Sequence, residues 1–307
     1  MTDKIDSIYR TRSLGVAAIG IPDQYADGKA AKVWSKYVGD QNRRTGFYRK
    51  KLLEVLHEYK VKTVFDVACG TGVDSILMVE EGFRVTSVDA SDKMLKYALK
   101  VRWARRKEPD FDNWVIEEGN WLHLKDADID IPNGGFDCLI CLGNSFAHLP
   151  DFDGENKAQI QAIENFRDCL RPGGILMIDH RNYDHIVSGG KPPMKNIYYD
   201  SQAPVDVKTS VLLVDNKYSL VTLDYVIKEE EPSSNGEADS DSPPFKKKKD
   251  ESSNKFRLSY YPHLLQNFNK LLELVFGKDA KHTILGDFQP LESTDNPAYY
   301  VHIIQKP

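Results

Sequence analysis

The stretch that decides the fold is Phe65-Asp66-Val67-Ala68-Cys69-Gly70-Thr71-Gly72. It ends a β-branched run that begins at Val61, and a segment with a helical pattern follows it. The next apolar run, Phe83 to Val88, ends in Asp89. A strand, a glycine turn, a helix, a second strand and an acid, in this order, are typical of a nucleotide-binding crevice at the carboxyl end of a parallel sheet.

The residues around the glycines indicate which nucleotide ligand fits. Asp89 is placed to accept both ribose hydroxyls of an adenosine, and Gly70 permits a tight turn close to a ligand. Asp74 and Ser75 lie where a pyrophosphate binder would place a third glycine, and the charges of Asp66 and Asp74 would repel phosphate. We therefore predict an adenosine ligand with a cationic or zwitterionic tail, a description that S-adenosylmethionine fits.

Length and composition narrow the class of protein. The chain has 307 residues, enough for one large domain or one domain with a substantial insertion. Its 41% hydrophobic and 10% aromatic residues are typical of a globular core. A net charge of -5 argues against a general binder of nucleic acid or membrane surfaces. With neither a secretory signal pattern nor a bilayer-length apolar run, we expect a soluble, cytoplasmic protein.

Two cysteines, Cys138 and Cys141, have the spacing of a metal or redox pair. They lie, however, in the apolar run 136–142, which we interpret as a buried strand. An odd spacing on a strand sends the two side chains to opposite faces, so we predict core thiols. No zinc pattern occurs elsewhere, and we expect no metal.

Apolar runs alternate with helical patterns through the first part of the chain. The predicted strands are 61–68, 83–88, 114–117, 136–142 and 175–179. We expect the helix before the last of these strands to end at Leu170-Arg171-Pro172-Gly173-Gly174. The alternation predicts an α/β fold with a doubly wound parallel sheet.

After His180 the pattern changes. Strand-like runs at 196–199, 208–214, 218–226 and 256–261 have no helices between them, which predicts a small antiparallel lid over the crevice. A helix at 264–276 and strands at 282–288 and 299–304 would complete the main sheet. The polar run 228–254 is interpreted as a disordered loop; its lysines, Lys246 to Lys249, leave a nuclear import signal as an alternative.

These patterns predict three parts of the chain. Residues 1–40 form an irregular N-terminal arm, in which Gly15, Gly20, Pro22 and Gly28 would break a long helix; its role as an oligomerisation segment rests on the family resemblance given below. Residues 41–180 and 263–307 form the domain that binds the methyl donor. Residues 181–262 form the antiparallel lid, which carries the 228–254 loop.

Three segments at the carboxyl ends of predicted strands should reach the crevice. Asn120-Trp121 offers an amide for the adenine edge and an indole for its face; the alternative is a surface aromatic in a turn. Asn144 is a candidate for holding substrate, and His148 is a base or, more commonly, a structural hydrogen-bonding group. Arg181 is the candidate carboxylate clamp, with a salt bridge to Asp179 or Asp184 as the alternative.

With these segments identified, the chain resembles the animal glycine N-methyltransferase family. The similarity covers nearly the whole chain outside 228–254 and 125–134. The matching runs are Tyr9 to Val16, Ile21 to Gly28, Asp66 to Asp74, Val85 to Leu99, Cys141 to Pro150, Ile178 to Asp184 and Lys255 to His263.

The resemblance implies a Rossmann-like class I methyltransferase fold and assigns roles to residues. It implies that the donor is surrounded by Tyr25, Trp34, Tyr37, Arg44, Ala68, Gly70, Asp89, Asn120, Trp121, Leu142, Ser145 and His148. It implies a glycine pocket lined by Asn144, Arg181, Tyr199, Tyr225 and Tyr260. The residues assigned to catalysis are Tyr25, Asn144 and Arg181, with Arg44 on the methionine carboxylate.

The resemblance also implies a reaction and an assembly. The sulfonium methyl passes in line to the uncharged amine of glycine, giving sarcosine and S-adenosylhomocysteine, without a dedicated base. Because the leaving group is already activated, positioning supplies much of the rate. The family forms a homotetramer in which the N-terminal segment reaches a neighbour's active-site entrance.

One departure concerns regulation. Vertebrate members bind an inhibitory folate, and 5-methyltetrahydrofolate is the corresponding expectation here, with Tyr9 as a contact. Where those members carry a His-Met pair in the lid sheet, this chain has Ser219-Leu220. The alternatives left open are methylation of sarcosine or another small amino acid, a folate- or donor-binding regulator with little turnover, and a dehydrogenase.

Overall fold

The computed structural model describes residues 44–126, 129–151, 154–193, 197–198, 205–227 and 255–307. Two sheets are present in this part of the chain. The larger has eight strands in the order β10-β9-β11-β5-β4-β1-β2-β3, and the smaller has three in the order β6-β7-β8. The predicted α/β architecture with a small antiparallel sheet is confirmed.

The elements follow one another with short connections. The helices are α1 (Gly46–Glu58), α2 (Val73–Glu80), α3 (Asp92–Ala104), α4 (Pro109–Asp112), α5 (Lys157–Cys169), α6 (Tyr183–Gly189) and α7 (Leu265–Phe276). The strands are β1 (Thr63–Asp66), β2 (Arg84–Asp89), β3 (Val115–Glu118), β4 (Phe136–Cys141), β5 (Leu170–Arg181), β6 (Val205–Val214), β7 (Lys217–Ile227), β8 (Lys255–Tyr260), β9 (His282–Gly286), β10 (Gln289–Pro290) and β11 (Tyr299–Gln305). Short 3-10 turns cover Trp121–Asp126, Ser145–His148 and Leu291–Ser293.

The pairing of strands in the main sheet locates the edge at which a ligand would bind. Strands β1 to β5 pair in parallel, while β11 runs antiparallel to both β5 and β9. The chain moves outward from β1 to β3 and returns to the other side of β1 with β4. Ligands of open α/β sheets bind where the strand order reverses in this way, so the crevice opens at the carboxyl ends of β1 and β4.

Buried apolar side chains cover both faces of the main sheet. Cys138 belongs to the layer that includes α1 and α2, whereas Cys141 belongs to the layer that includes α5 and α7. The prediction that these thiols point to opposite faces is confirmed, and burial raises the pKa of both. All four cysteines are buried and unbridged, as expected of core thiols.

The start of β5 differs from the prediction. Helix α5 ends at Cys169, but the strand begins at Leu170 rather than at Ile175. Phe136 pairs with Leu170 and Cys138 with Ile175, so the intervening residues of β5 form an irregularity in the ladder. The Pro-Gly-Gly stretch that predicts a helix stop therefore forms a bulge inside the strand, because bulges accommodate both residue types.

The lid sheet also differs in part. The predicted strands at 208–214, 218–226 and 256–261 correspond to β6, β7 and β8. Of the fourth, 196–199, only Ile197 and Tyr198 are described, and they form a bend. The backbone carbonyls of both accept hydrogen bonds from Thr45 instead of from a strand, and both side chains are buried in the main core. A strand at these two residues is therefore wrong.

A third apolar cluster joins the lid to the main sheet. It packs side chains of β7 and β8 against Ala147, Tyr183 and Ile186, which follow β4 and β5. The lid thus covers the carboxyl end of these two strands. The predicted division into three parts stays a prediction, and its arm at 1–40 and loop at 228–254 lie outside the described residues.

Two searches of the described residues bear on other functions. Every described helix is too short or too polar to cross a bilayer. Within the same ranges, no group of three or more histidine, cysteine, aspartate or glutamate side chains is arranged to hold a metal ion.

Candidate active site

The turn after β1 takes its shape from its two glycines. Gly70 and Gly72 have φ angles of +55° and +85°, in the left-handed region that favours glycine. A Cβ on Gly72 would lie 2.9 Å from a ring carbon of Trp114. Gly72 is therefore required for packing of the turn, whereas a Cβ on Gly70 would meet a flexible methionine end at 3.2 Å.

Asp89 at the end of β2 is fixed by the same turn. One carboxylate oxygen accepts from the Gly70 amide at 2.9 Å and the other from the Ser91 amide at 2.9 Å. Because a backbone amide holds each oxygen, the carboxylate has a fixed orientation beside the glycine turn. The glycine turn and Asp89 therefore lie together at the carboxyl ends of β1 and β2.

Beneath the turn lies a buried polar chain that the sequence did not reveal. Ser75 donates to Asp66 at 2.6 Å, Ser87 donates to Ser75 at 2.8 Å, and the Trp114 indole donates to Ser87 at 2.8 Å. Burial raises the pKa of Asp66 to about 7. Asp66 is thus not the full negative charge at the crevice that the sequence suggests.

Asp74 is likewise compensated. Arg44 donates from Nε to Asp74 at 2.9 Å and from a terminal nitrogen to the other carboxylate oxygen at 2.5 Å. The Arg44 guanidinium also lies over the rings of Tyr48 and Tyr198. The residue predicted to hold the donor's carboxylate is therefore oriented by a carboxylate of the chain itself.

The segment after β3 meets the turn after β1. The Trp121 indole donates to the Val67 carbonyl at 2.6 Å and stacks on Phe146 with ring centroids 5.7 Å apart. Asn120 accepts from the Leu122 amide at 2.9 Å, forming its own turn. Trp121 is therefore a packed wall beside the crevice, and its indole N–H is used within the protein.

Asn144, in the loop after β4, forms hydrogen bonds with three residues near the end of β5. Its φ of +64° is left-handed, and its amide donates to Asp179 at 2.8 Å. Its side-chain oxygen accepts from the Arg181 amide at 2.9 Å, and its side-chain amide lies 3.0 Å from the Tyr183 hydroxyl. Asn144 thus joins the ends of β4 and β5.

Arg181, at the end of β5, is surrounded by tyrosines. A terminal nitrogen donates to the Tyr225 hydroxyl at 3.2 Å, and the guanidinium lies 5.1 Å from the centre of the Tyr299 ring. Its Nε is buried and has no hydrogen-bond partner. Burial alone would lower the pKa of this guanidinium, but the tyrosine hydroxyls, Tyr225 first, raise it well above its usual value.

The alternative of a salt bridge at Arg181 does not hold among the described residues. Asp179 accepts from Asn144 and from the Tyr198 hydroxyl, and Asp184 accepts from the Leu265 amide at 2.9 Å. Burial raises the pKa of Asp179 to about 6. Neither carboxylate forms an ion pair with Arg181 within the described residues, although the nearby guanidinium charge favours the ionised form of Asp179.

The remaining predicted residues fall into two groups. Ser145 donates to the Leu142 carbonyl at 2.8 Å, the His148 ring lies 4.8 Å from that of Tyr260, and Ala68 is half-buried after β1. Outside the described residues lie Tyr9, Tyr25, Trp34, Tyr37 and Tyr199. Their predicted roles stay predictions.

Sequence reasoning missed three residues that shape the site: Tyr183, Tyr198 and Tyr299. It placed Asp74 at the glycine turn but did not predict that Asp74 pairs with Arg44. Tyr183 lies two residues after Arg181, so its neighbourhood was a usable signal. Tyr299 gave no local signal, because it reaches Arg181 only through the antiparallel pairing of β11 with β5.

Comparison with known proteins gives a consistent result. Residues 59–230 match the family model described as a methyltransferase domain. The glycine N-methyltransferase of Oryctolagus cuniculus is 56% identical over 306 residues, covering 98% of this chain and 99% of that protein. The Homo sapiens glycine N-methyltransferase is 55% identical over 308 residues, with the same coverage of 98% and 99%.

A solved structure supports the fold independently. An S-adenosylmethionine-dependent methyltransferase from Clostridium acetobutylicum superposes with a TM-score of 0.56, covering 91% of this chain and 98% of its own. At 14% sequence identity, this similarity concerns the fold alone.

Proposed function

The chain belongs to the glycine N-methyltransferase family, and from this premise we propose that it transfers the methyl group of S-adenosylmethionine to the amine of glycine. The products are sarcosine and S-adenosylhomocysteine. The relatives match over nearly their full length, so the proposal covers the whole reaction rather than donor binding alone.

The observation that carries the proposal is the state of Arg181. It has no carboxylate partner in the described part of the chain, its Nε is buried without a hydrogen bond, and tyrosines surround it. A guanidinium in this state favours a small carboxylate, which it can grip with two parallel hydrogen bonds. Glycine supplies that carboxylate and little else, which suits a pocket covered by the lid residues Tyr225 and Tyr260.

The end of β2, the turn after β1 and Arg44 suit the methyl donor. Asp89 lies beside the turn around Gly70, where a carboxylate at the end of the second strand suits the ribose hydroxyls and the turn lets backbone approach the ligand. We assign Arg44 to the donor's carboxylate, with Asp74 holding the guanidinium in place. When bound, the donor supplies an electrophilic sulfonium methyl group; the chain's own residues supply alignment.

The described part of the chain offers no dedicated base for the glycine amine. The titratable groups described around Arg181 include the hydroxyls of Tyr183, Tyr225, Tyr260 and Tyr299. The Asp179 carboxyl is also near, but its oxygens already accept hydrogen bonds from Tyr198 and from the Asn144 amide. Burial raises the pKa of Tyr183 further above its ordinary alkaline value, so its hydroxyl keeps its proton at neutral pH. We propose that glycine loses its ammonium proton before or during binding, and that Asn144 and Arg181 orient the resulting neutral amine.

An exposed apolar surface on the lid bears on how subunits assemble. We propose a cytoplasmic homotetramer, in which the 1–40 segment reaches a neighbour's entrance. The support in the described residues is an exposed apolar strip at the lid hairpin: Leu212, Leu213, Val214 and Tyr218. Such a strip is typical of a surface that another protein covers.

Folate control stays a prediction. Tyr9 lies outside the described residues, and Ser219 and Leu220 lie in β7, where Ser219 donates to the Lys217 carbonyl at 3.1 Å. Neither side chain carries the ring or charge expected of a folate contact. We therefore expect weaker inhibition by 5-methyltetrahydrofolate than in relatives with a His-Met pair.

Mass spectrometry of the products tests the proposal directly. Purified protein is incubated with S-adenosylmethionine and glycine carrying an isotope label, with a parallel sample that lacks glycine. Labelled sarcosine in a one-to-one ratio with S-adenosylhomocysteine is the expected result. Donor binding without labelled sarcosine would overturn glycine as the acceptor, and labelled dimethylglycine would favour the sarcosine-methylating alternative.

A further inference from the structure

Two tyrosine rings form a continuous row between the two arginines of the site. The Arg44 guanidinium carbon lies 5.3 Å from the centre of the Tyr198 ring. The Tyr198 and Tyr299 rings meet edge to face, with centroids 4.9 Å apart and an interplanar angle of 84°. The Arg181 guanidinium carbon lies 5.1 Å from the centre of the Tyr299 ring. Cation–π contacts therefore stand at both ends of one aromatic pair.

Both tyrosines are buried and anchored independently of any ligand. Tyr299 opens β11 directly opposite Arg181 in β5. The Tyr198 hydroxyl donates to Asp179, the carboxylate that also holds the Asn144 amide at 2.8 Å. The Tyr198 carbonyl accepts from the Thr45 amide at 3.4 Å, next to Arg44 in the chain.

We propose that Tyr198 and Tyr299 are positioning residues that hold the two guanidinium groups at a set separation. The inference rests on the proposed function, in which Arg44 binds the donor's carboxylate and Arg181 that of glycine. If each substrate is held by one carboxylate, the distance between the clamps helps to set the approach of the amine to the methyl group. In-line transfer is sensitive to displacements of about 1 Å.

If Tyr198 and Tyr299 support the two arginines jointly, loss of one ring should affect the binding of both substrates. If each ring only packed locally, it would affect one. The Tyr299 ring lies against Arg181 and Tyr198, so removal of this ring should weaken donor binding as well as glycine binding, because Tyr198 loses the ring it packs against. Tyr299→Leu is expected to raise the KM for glycine at least about tenfold and the dissociation constant of S-adenosylmethionine about three- to tenfold, with a further fall in kcat. Tyr299→Phe keeps the ring and is expected to recover most of each loss.

The experiment measures steady-state kinetics for both substrates and donor affinity by calorimetry without glycine. Tyr59→Leu is the matched control, since it removes a tyrosine ring 5.4 Å from the Lys281 amine, outside the row. Near-ultraviolet circular dichroism checks folding, and Tyr299→Met, which fills a similar length without a ring, replaces the leucine variant if that variant does not fold.

The outcomes separate the inference from the proposed function. A wild-type protein that binds the donor but methylates no glycine would overturn the proposed function, and donor affinity would still test the row. Unchanged donor affinity in Tyr299→Leu would overturn the shared support. Equal losses in Tyr299→Phe and Tyr299→Leu would assign the effect to the hydroxyl and overturn the role of the ring.

Discussion

The arginines of this protein differ chiefly in their partners. Arg105 pairs with Glu80 and Glu108, and Arg171 pairs with Asp137, whereas Arg181 is left with tyrosine hydroxyls and ring faces. A buried cation with incomplete hydrogen bonding costs stability. That cost is reasonable where a ligand supplies the missing acceptors, which is why Arg181 rather than the paired arginines is assigned to the substrate.

Arg181→Lys tests this assignment. Lysine keeps the charge but not the planar fork, so one of two parallel hydrogen bonds to the glycine carboxylate is lost. A hydrogen bond to a charged group contributes about 1.5–3 kcal/mol, so we expect the glycine KM to rise about tenfold to a hundredfold. Initial rates at saturating S-adenosylmethionine measure the change.

Arg171→Lys is the matched control, because Arg171 lies on the same strand and pairs with a carboxylate remote from the crevice. It should leave the glycine KM unchanged. An unaltered glycine KM in Arg181→Lys, with sarcosine still formed, would contradict the clamp.

The buried carboxyl group of Asp66 should make the stability of the protein depend on pH. Burial raises its pKa from 3.8 to about 7, so the folded state holds this proton more tightly than the unfolded state does. Stability linked to Asp66 is therefore greatest below the unfolded pKa and falls as the pH rises toward about 7. The loss amounts to at most about 4 kcal/mol.

Asp66→Asn removes this titration, and the free energy of unfolding should depend less on pH between about 5 and about 7. The dependence should not vanish, because burial also raises the pKa of Asp179, to about 6. Urea unfolding at several pH values measures the slope, and Asp110→Asn, at an exposed carboxylate, is the control. Equal slopes in the wild type and Asp66→Asn would show that Asp66 does not titrate in this range.

Residue roles were predictable where position in the chain determines position in space. Asp89 and Arg181 end parallel strands and Asn144 follows one, and such ends meet at one edge of the sheet. Asp179 and Tyr299 were not predictable in this way. Asp179 acts through a buried contact with Tyr198, and Tyr299 is brought to the site from the far end of the chain by the register of β11.

At the scale of elements, the contact between β4 and β5 depends on a glycine. Gly135 precedes β4 with a φ of +105°, and a Cβ there would lie 2.4 Å from the Arg171 nitrogen and 2.5 Å from the Leu170 carbonyl carbon. Both atoms are backbone, so neither can move without displacing the start of β5. The close approach lies next to the irregular register between Phe136 and Cys138.

Gly135→Ala should therefore destabilise the protein by about 3 kcal/mol or more, since backbone overlap adds to the strain of a left-handed alanine. Gly134→Ala is a close control, because Gly134 also has a positive φ, of +91°, but its Cβ would meet open space. We expect it to cost only about 1–2 kcal/mol. Urea unfolding of both variants compares the two, and equal losses would contradict a specific role for the β4–β5 contact.

Most elements were predictable because their apolar periodicity agrees with their final environment. The exceptions occur where tertiary contacts override a local signal. The helix ends just before Leu170, close to the predicted stop, but Pro172 and the glycines after it lie within a bulged strand rather than before it. Ile197 and Tyr198 resemble a strand but bend to reach Thr45. In each case the backbone finds hydrogen-bond partners that the local sequence does not specify.

At the scale of the whole molecule, the order of elements was the strongest information in the sequence. Strand, glycine turn, helix, strand and acid specify a parallel sheet and its ligand edge together, since connections between parallel strands allow few arrangements. The assembly of subunits follows from no comparable rule. It depends on surface side chains, whose pattern is similar whether a strand faces solvent or another chain.

The lid hairpin is where assembly can be tested. Leu212, Leu213 and Val214 are 52%, 50% and 51% exposed on β6, and β6 is an edge of the three-stranded sheet. An exposed edge strand with consecutive apolar side chains favours association unless charges block it. In the proposed homotetramer, these side chains would be covered by another copy of the chain.

Replacing Leu212 and Val214 together by lysine should therefore shift the protein from tetramer to smaller species, since each buried lysine would lack a partner. Light scattering coupled to gel filtration measures the mass, and Leu274→Lys, at a 67% exposed leucine on α7, controls for loss of an exposed apolar side chain. A tetramer that withstands the double replacement would move the interface elsewhere. A monomeric wild type would contradict the assembly itself, and the exposed strip would then be a surface for a different partner.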